Sequence, residues 1–138
     1  MKKVLVFGSF DFLHEGHLHF FESAKRRGSC LVVAVARDVN VAKAKGHAPF
    51  FDERERLRMV GALRVVDKAV LGSKKDFFAV VRREKPSVIV LGYDQPANER
   101  AIGEKLAALK LKTRIVRLQK GFEPAKNKSS TIRRHLRC

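Results

Sequence analysis

Two histidines stand three residues apart near the start of the chain, His14 and His17, with Glu15 and Gly16 between them. They follow an apolar run that ends at Gly8, and they open a segment with the apolar spacing of a helix. The first turn of a helix has unpaired backbone N–H groups and the positive end of the helix dipole, which attract anions. Imidazole N–H groups there can donate to phosphate oxygens, and a glycine lets the backbone approach a ligand closely. The spacing therefore indicates a phosphate site, with a plain capped helix as the alternative. A metal site is not expected, because no cysteine or carboxylate cluster stands nearby at ligand spacing.

The histidines need a scaffold, and the hydrophobic pattern predicts an α/β one. Short apolar runs alternate with helical segments. Strands are expected at residues 4–7, 31–36, 68–71, 87–91 and 113–118. Helices are expected at 15–27, from Asp52, at 76–85, from Pro96 and at 130–136, with a loop at 37–49. Continuous apolar strands are typical of a parallel sheet covered on both faces, so we expect one doubly wound five-stranded domain over residues 1–138.

Such a sheet also predicts where the ligand binds. In open α/β sheets the ligand lies outside the carboxyl ends of the strands, beside the point where the strand order reverses. Chemistry is therefore expected at the residues that follow the strands, which are 8–11, 37–38 and 92–94.

The charge of the chain implies an anionic partner. Thirty Lys and Arg against 14 Asp and Glu give a formal net charge of +16 over 138 residues. Residues 105–138 hold eleven of the basic residues and one acidic residue, Glu123. Nucleic acid, a nucleotide or a phosphorylated substrate would each fit this excess.

Composition excludes several other classes of protein. Hydrophobic residues make up 45% of the chain, too many for a disordered protein. No apolar run is long enough to span a bilayer or to serve as a signal peptide. Cys30 and Cys138 cannot form a disulfide framework. We therefore expect a cytoplasmic protein with no membrane partner.

Three motifs, in the expected order, resemble the signature of the nucleotidyltransferase superfamily that includes cytidylyltransferases and phosphopantetheine adenylyltransferases. The first is His-x-Gly-His at 14–17 after Gly-Ser-Phe-Asp at 8–11. The others are Gly-Tyr-Asp at 92–94 and Ser-Ser-Thr-Ile-Arg-Arg at 129–134. Within the superfamily the chain is most similar to the small archaeal FAD synthases, over segments 36–38, 55–60, 66–72 and 91–95 and in the lysines at 43 and 45.

The resemblance implies a Rossmann-like nucleotidyltransferase domain in which the phosphate of FMN attacks the α-phosphorus of ATP and expels pyrophosphate, without a covalent enzyme intermediate. Because that nucleophile is already ionised, catalysis reduces to positioning and charge stabilisation. The catalytic residues implied are His14, His17 and Lys43. The nucleotide would be bound by these two histidines and by Ser9, Phe10, Glu15, Gly16, Gly92, Asp94, Ser129, Ser130 and Thr131. Contacts with the second substrate are expected from Asp11, Lys45, Arg64 and Phe122. Mg²⁺ would bridge the triphosphate rather than occupy a protein cage.

Two further expectations concern the flavin and the assembly. Phe122, in the loop before the serine-rich motif, could stack on the isoalloxazine ring, and so could Phe50 and Phe51, although burial in the core would explain that pair equally well. Related small cytidylyltransferases form dimers, so the resemblance also implies a homodimer.

Two alternatives remain open. Glycerol-3-phosphate cytidylyltransferases look similar over the same segments, so CTP with glycerol 3-phosphate or another small phosphomonoester is the second substrate pair. Their last motif contains an arginine and a glycine that residues 126–131 of this chain lack, which disfavours them. A non-catalytic, basic nucleic-acid-binding module is the alternative of another class. The sequence disfavours nucleic acid as a partner, because it has no aromatic and basic pattern like that of single-strand readers.

Overall fold

The computed structural model describes residues 2–119 and contains five strands and five helices in that range. The strands are β1 (Lys3–Gly8), β2 (Cys30–Val35), β3 (Lys68–Leu71), β4 (Val88–Leu91) and β5 (Arg114–Arg117). The helices are α1 (Glu15–Lys25), α2 (Asp38–Lys45), α3 (Glu53–Gly61), α4 (Phe78–Glu84) and α5 (Glu99–Ala108). None of these helices is long and apolar enough to cross a membrane. The helix expected at 130–136 lies outside the described residues.

All five strands are parallel and form one sheet in the order β3-β2-β1-β4-β5. The central strand β1 is buried on both sides. Val4 and Val6 pack with Phe21 of α1, whereas Leu5 belongs to the cluster that contains Val80 of α4. This double burial explains the continuous apolar runs and confirms the doubly wound parallel sheet. The strand order reverses between β1 and β4, so a crevice is expected at their carboxyl ends.

The prediction of a loop at residues 37–49 is wrong in its first half, because α2 occupies Asp38–Lys45. Only Val41 of this helix is buried, so the hydrophobic pattern carried little signal. The helix ends at Gly46, whose φ of 78° is in the left-handed region that glycine adopts without strain. The start of α5 also differs from the expectation at Pro96: the side chain of Asn98 caps the helix by accepting from the Ala101 N–H.

Candidate active site

The loop between β1 and α1 ends at His14, the N-cap residue of α1. The Gly16 N–H donates to Nδ1 of the His14 ring at 3.0 Å. Nδ1 is therefore an acceptor, and a neutral ring carries its proton on Nε2. Partial burial lowers the pKa of His14, which favours that neutral form. His14 thus caps the helix with one nitrogen and keeps an N–H donor on the other.

His17 lies against His14, with ring centroids 3.9 Å apart, and meets the edge of Phe10 at 5.6 Å. Burial lowers the pKa of His17 to about 4, the charges of His14 and Lys45 act in the same direction, and a hydrogen bond with the Phe12 backbone opposes them. The ring is therefore neutral at pH 7. Its Nδ1 is enclosed by protein, so a ligand can be contacted only through Nε2.

The low pKa of His17 predicts acid destabilisation of the fold. Between pH 6.5 and about 4 the unfolded chain binds a proton on this ring and the folded chain does not. The free energy of unfolding should therefore fall by about 2–3 kcal/mol from this group as the pH drops from 7 to 4.5. Urea titrations at the two pH values measure the change, and a His17→Asn variant should show a smaller drop than the wild type. Equal drops in the two proteins would contradict this interpretation.

Phe10 and Gly8 fix the path of the loop before His14. The Phe10 ring lies over Gly8 so closely that a Cβ atom at Gly8 would be 2.5 Å from Cζ of Phe10. Phe10 itself has a φ of 52°, an uncommon left-handed conformation for a residue with a side chain, and its ring is buried. Such strain is held in place by surrounding packing and is typical of functional loops. The backbone contact with the nucleotide expected for Phe10 stays a prediction.

The substrate contact expected for Asp11 stays a prediction, and the structure shows that this side chain connects two loops. Asp11 is only 2% exposed, and its two carboxylate oxygens accept from the N–H groups of Phe50 at 2.8 Å and Phe51 at 2.9 Å. Burying a carboxylate is tolerated when backbone donors replace the lost water. Asp11 therefore joins the loop between α2 and α3 to the histidine loop.

Arg56 of α3 is a positioning residue that the sequence analysis missed. Its side chain is fully buried, and its guanidinium donates three hydrogen bonds of 2.7–2.9 Å. Nε donates to the Phe51 carbonyl, Nη1 to the Ser9 carbonyl and Nη2 to Oδ1 of Asp38. One guanidinium thus ties the ends of β1 and β2 to the loop before α3. Its position four residues before the buried Val60, on the inward side of the helix, is the signal that could have found it.

The two lysines expected at the site lie on α2 rather than in a loop, and the structure separates their positions. Lys45, in the last turn, donates from Nζ to Oγ of Ser9 at 3.1 Å, which places its charge at the end of β1. Lys43 is exposed and forms no hydrogen bond or ion pair with residues 2–119. The structure therefore brings Lys45 and Ser9 together, and a catalytic role for Lys43 stays a prediction.

The loop after β4, which contains Gly92 and Asp94, lies at the carboxyl edge of the sheet beside the end of β1, and the nucleotide contacts expected for these two residues stay predictions. The Gln95 side chain accepts from the Gly92 N–H at 3.1 Å and donates to the Phe7 carbonyl at 3.0 Å, so it links β4 to β1. Arg117, the last residue of β5, donates to the carbonyls of Gly92, Gln95 and Ala97, each at 2.9 Å, and pairs with Glu99. The sequence analysis missed both positioning residues, although a charged residue at a strand end is a usable signal. Asp94 is exposed on this loop.

The substrate contact expected for Arg64 stays a prediction. Arg64 is exposed in the turn between α3 and β3, before the strand begins at Lys68. Nearby Asp67 accepts from the N–H of Leu31 at the start of β2. Arg64 therefore lies at the amino edge of the sheet, opposite to His14 and His17.

The remaining predicted positions divide into two groups. Glu15 and Gly16 form the first turn of α1, where Glu15 is exposed. Phe122 and the motif at 129–131 lie outside the described residues. Within residues 2–119, no three His, Cys, Asp or Glu side chains are grouped so that they could hold a metal ion.

A doubly wound parallel sheet with two neutral histidines at a helix start, beside the reversal of strand order, defines an α/β domain of the nucleotidyltransferase class. The chain belongs to the cytidylyltransferase-like family, which it matches over residues 5–135.

Curated relatives and solved structures are similar over most of the chain. FAD synthase from Thermoplasma volcanium is 40% identical over 136 residues, which are 99% of this chain and 94% of that protein. FAD synthase from Methanohalophilus mahii is 45% identical over 121 residues, 87% of this chain and 83% of that protein. A crystal structure described as the lipopolysaccharide core biosynthesis protein from Thermoplasma volcanium is 42% identical, has a TM-score of 0.82 and covers 87% of this chain and 98% of that one. Pantoate-β-alanine ligase from Francisella tularensis, at 14% identity and a TM-score of 0.60 over 85% of this chain and 58% of its own, shows the fold alone.

Proposed function

We propose that this protein is an FMN adenylyltransferase that transfers the AMP group of ATP to FMN and yields FAD and pyrophosphate. The observation that carries the proposal is the pair of neutral histidines at the start of α1, 3.9 Å apart at the reversal of strand order. The identity of 40–45% with curated FAD synthases over most of the chain supports the choice of substrates.

In this reaction a phosphate oxygen of FMN forms a bond to the α-phosphorus of ATP while the bond from that phosphorus to the pyrophosphate oxygen breaks. Nε2–H of His14 and the N–H groups at the start of α1 would donate to the phosphate oxygens. The negative charge that develops on the phosphate oxygens in the transition state would favour the protonated form of His17, so that its Nε2 becomes a second donor there. The Lys45 ammonium adds positive charge at the end of β1. All of these groups act on charge that develops in the transition state.

We also propose that a divalent cation, Mg²⁺ by its preference for phosphate oxygens, accompanies the triphosphate. It would partly neutralise the charge of the phosphates, and no cage of protein ligands is needed for that.

Product analysis tests the proposed function. With Mg²⁺, FMN and ATP should yield FAD, and EDTA should abolish its formation. CTP with glycerol 3-phosphate serves as the control pair, and chromatography resolves the products. Because the flavin and the small phosphomonoester differ so much, the two reactions give clearly separate products. A CDP-linked product without any FAD would overturn the proposal.

The homodimer and the cytoplasmic location stay predictions. Light scattering tests the first, since a dimer should give about twice the 15.6 kDa mass of one chain. A particle with the mass of one chain at working concentration would contradict it.

A further inference from the structure

Three phenylalanines form an aromatic patch beside the histidine loop: Phe12, Phe50 and Phe51. Phe50 exposes 71% of its surface, more than any other large hydrophobic residue in the described part of the chain. Single exposed apolar residues are common on protein surfaces, so exposure alone carries no conclusion. The way in which this ring is held makes it different.

The exposed Phe50 ring contacts the rings of the other two phenylalanines, and hydrogen bonds hold its backbone. The Phe50 ring centroid is 4.8 Å from that of Phe51 and 5.3 Å from that of Phe12. The buried Asp11 holds both backbone N–H groups at 50 and 51, and the buried Arg56 holds the Phe51 carbonyl. The backbone that carries Phe50 is thus held by two buried charged groups and its ring contacts two others, so stacking of a ligand costs little further conformational entropy.

The aromatic patch is close to His14 along the chain. Phe12 precedes His14 by two residues, so at most about 7 Å of chain separates them. A ligand that spans both features has a planar ring at one end, an anionic phosphate at the other and a short flexible linker between them. FMN has this form, with its isoalloxazine ring, ribityl chain and phosphate. Glycerol 3-phosphate has no ring to place on the patch.

We propose that Phe50, supported by Phe12 and Phe51, stacks on the isoalloxazine ring of FMN and selects a flavin as the acceptor. This inference rests on the proposed function and adds the group that discriminates between acceptors. Stacking on an aromatic side chain is favoured for any flat, polarisable ring.

Removal of the ring tests the proposal. In Phe50→Ala we expect the KM for FMN to rise about tenfold, with the KM for ATP within about twofold of the wild type. Riboflavin, which has the ring but no phosphate, should inhibit the wild type, and its inhibition constant should rise by the same factor in the variant. Phe50→Tyr keeps a flat ring and should restore both constants. Phe77→Ala removes another exposed phenylalanine, one that packs on Phe7, and should leave both constants unchanged.

Calorimetric binding of FMN separates failure of this inference from failure of the proposed function. If the wild type binds FMN but forms no FAD, the proposed function fails, and weaker FMN binding by Phe50→Ala still supports the platform. If Phe50→Ala binds FMN and riboflavin as the wild type does, the platform is refuted even where FAD is formed. An increase in the KM for ATP equal to that for FMN would also refute it, because the patch would then act on the whole site.

Discussion

A His17→Ala variant should lose about 10²–10³-fold in kcat, equivalent to about 3–4 kcal/mol of transition-state stabilisation. The physical reason is that a neutral, buried ring contributes little to binding of the ground state. It becomes a donor only when negative charge approaches its Nε2 atom. Affinity for ATP should therefore fall much less than turnover, since His14, the start of α1 and Lys45 remain.

Initial rates of FAD formation and equilibrium binding of ATP measure the two quantities separately. His47→Ala is a matched control, because His47 is an exposed histidine whose ring forms a hydrogen bond with the carbonyl of its neighbour Ala48. It should retain wild-type turnover. A His17→Ala protein that retains nearly full turnover would refute the mechanism.

The second large effect is expected for Arg56→Met, which should lower the free energy of unfolding by about 3 kcal/mol. The substitution keeps an apolar chain of similar length but leaves the carbonyls of Ser9 and Phe51 without their donors. The pair with Asp38 adds less than a fully buried pair would, because the Asp38 side chain is 39% exposed. At this chain length the melting temperature should fall by roughly 10 °C.

Urea denaturation measures this loss, and Arg58→Met provides the control. Arg58 lies two residues further along α3 and is exposed, so its replacement should change the free energy of unfolding by less than about 0.5 kcal/mol. Arg56→Lys should recover only part of the loss, because one ammonium cannot reach three acceptors as a planar guanidinium does. Equal stability of Arg56→Met and the wild type would show that the three hydrogen bonds contribute nothing to the fold.

The sheet and the position of the histidines were predictable because their signals are local. Runs such as Leu31–Val35 are buried on both faces, and only a parallel sheet covered by helices requires that pattern. His14 caps α1 through a bond to Gly16, two residues away, so its conformation follows from its own segment. Because ligands bind at the carboxyl ends of parallel strands, the sequence also predicted that Gly92 lies at the same edge of the sheet as the histidines.

Helix α2 was not predicted, because tertiary contacts rather than a hydrophobic face stabilise it. It buries only Val41, and its first residue is held from outside the helix: Glu53 accepts from the Asp38 N–H, and Arg56 pairs with the Asp38 carboxylate. A hydrophobic pattern reports an apolar face and is silent about such contacts. The error mattered, since it had placed Lys43 and Lys45 together in a loop.

By itself, the sequence determined the sheet, the family resemblance and the two histidines of the phosphate site. Only the tertiary structure decided which side chains hold the loops of that site. Asp11 and Arg56 hold the loop before His14, and Gln95 and Arg117 hold the loop around Gly92. These contacts join residues far apart in the chain, 47 for Arg56 and Ser9 and 88 for Gln95 and Phe7. Spacing along the chain reports only neighbours within a few turns of helix or one strand, so contacts of this separation depend on the register of the folded sheet.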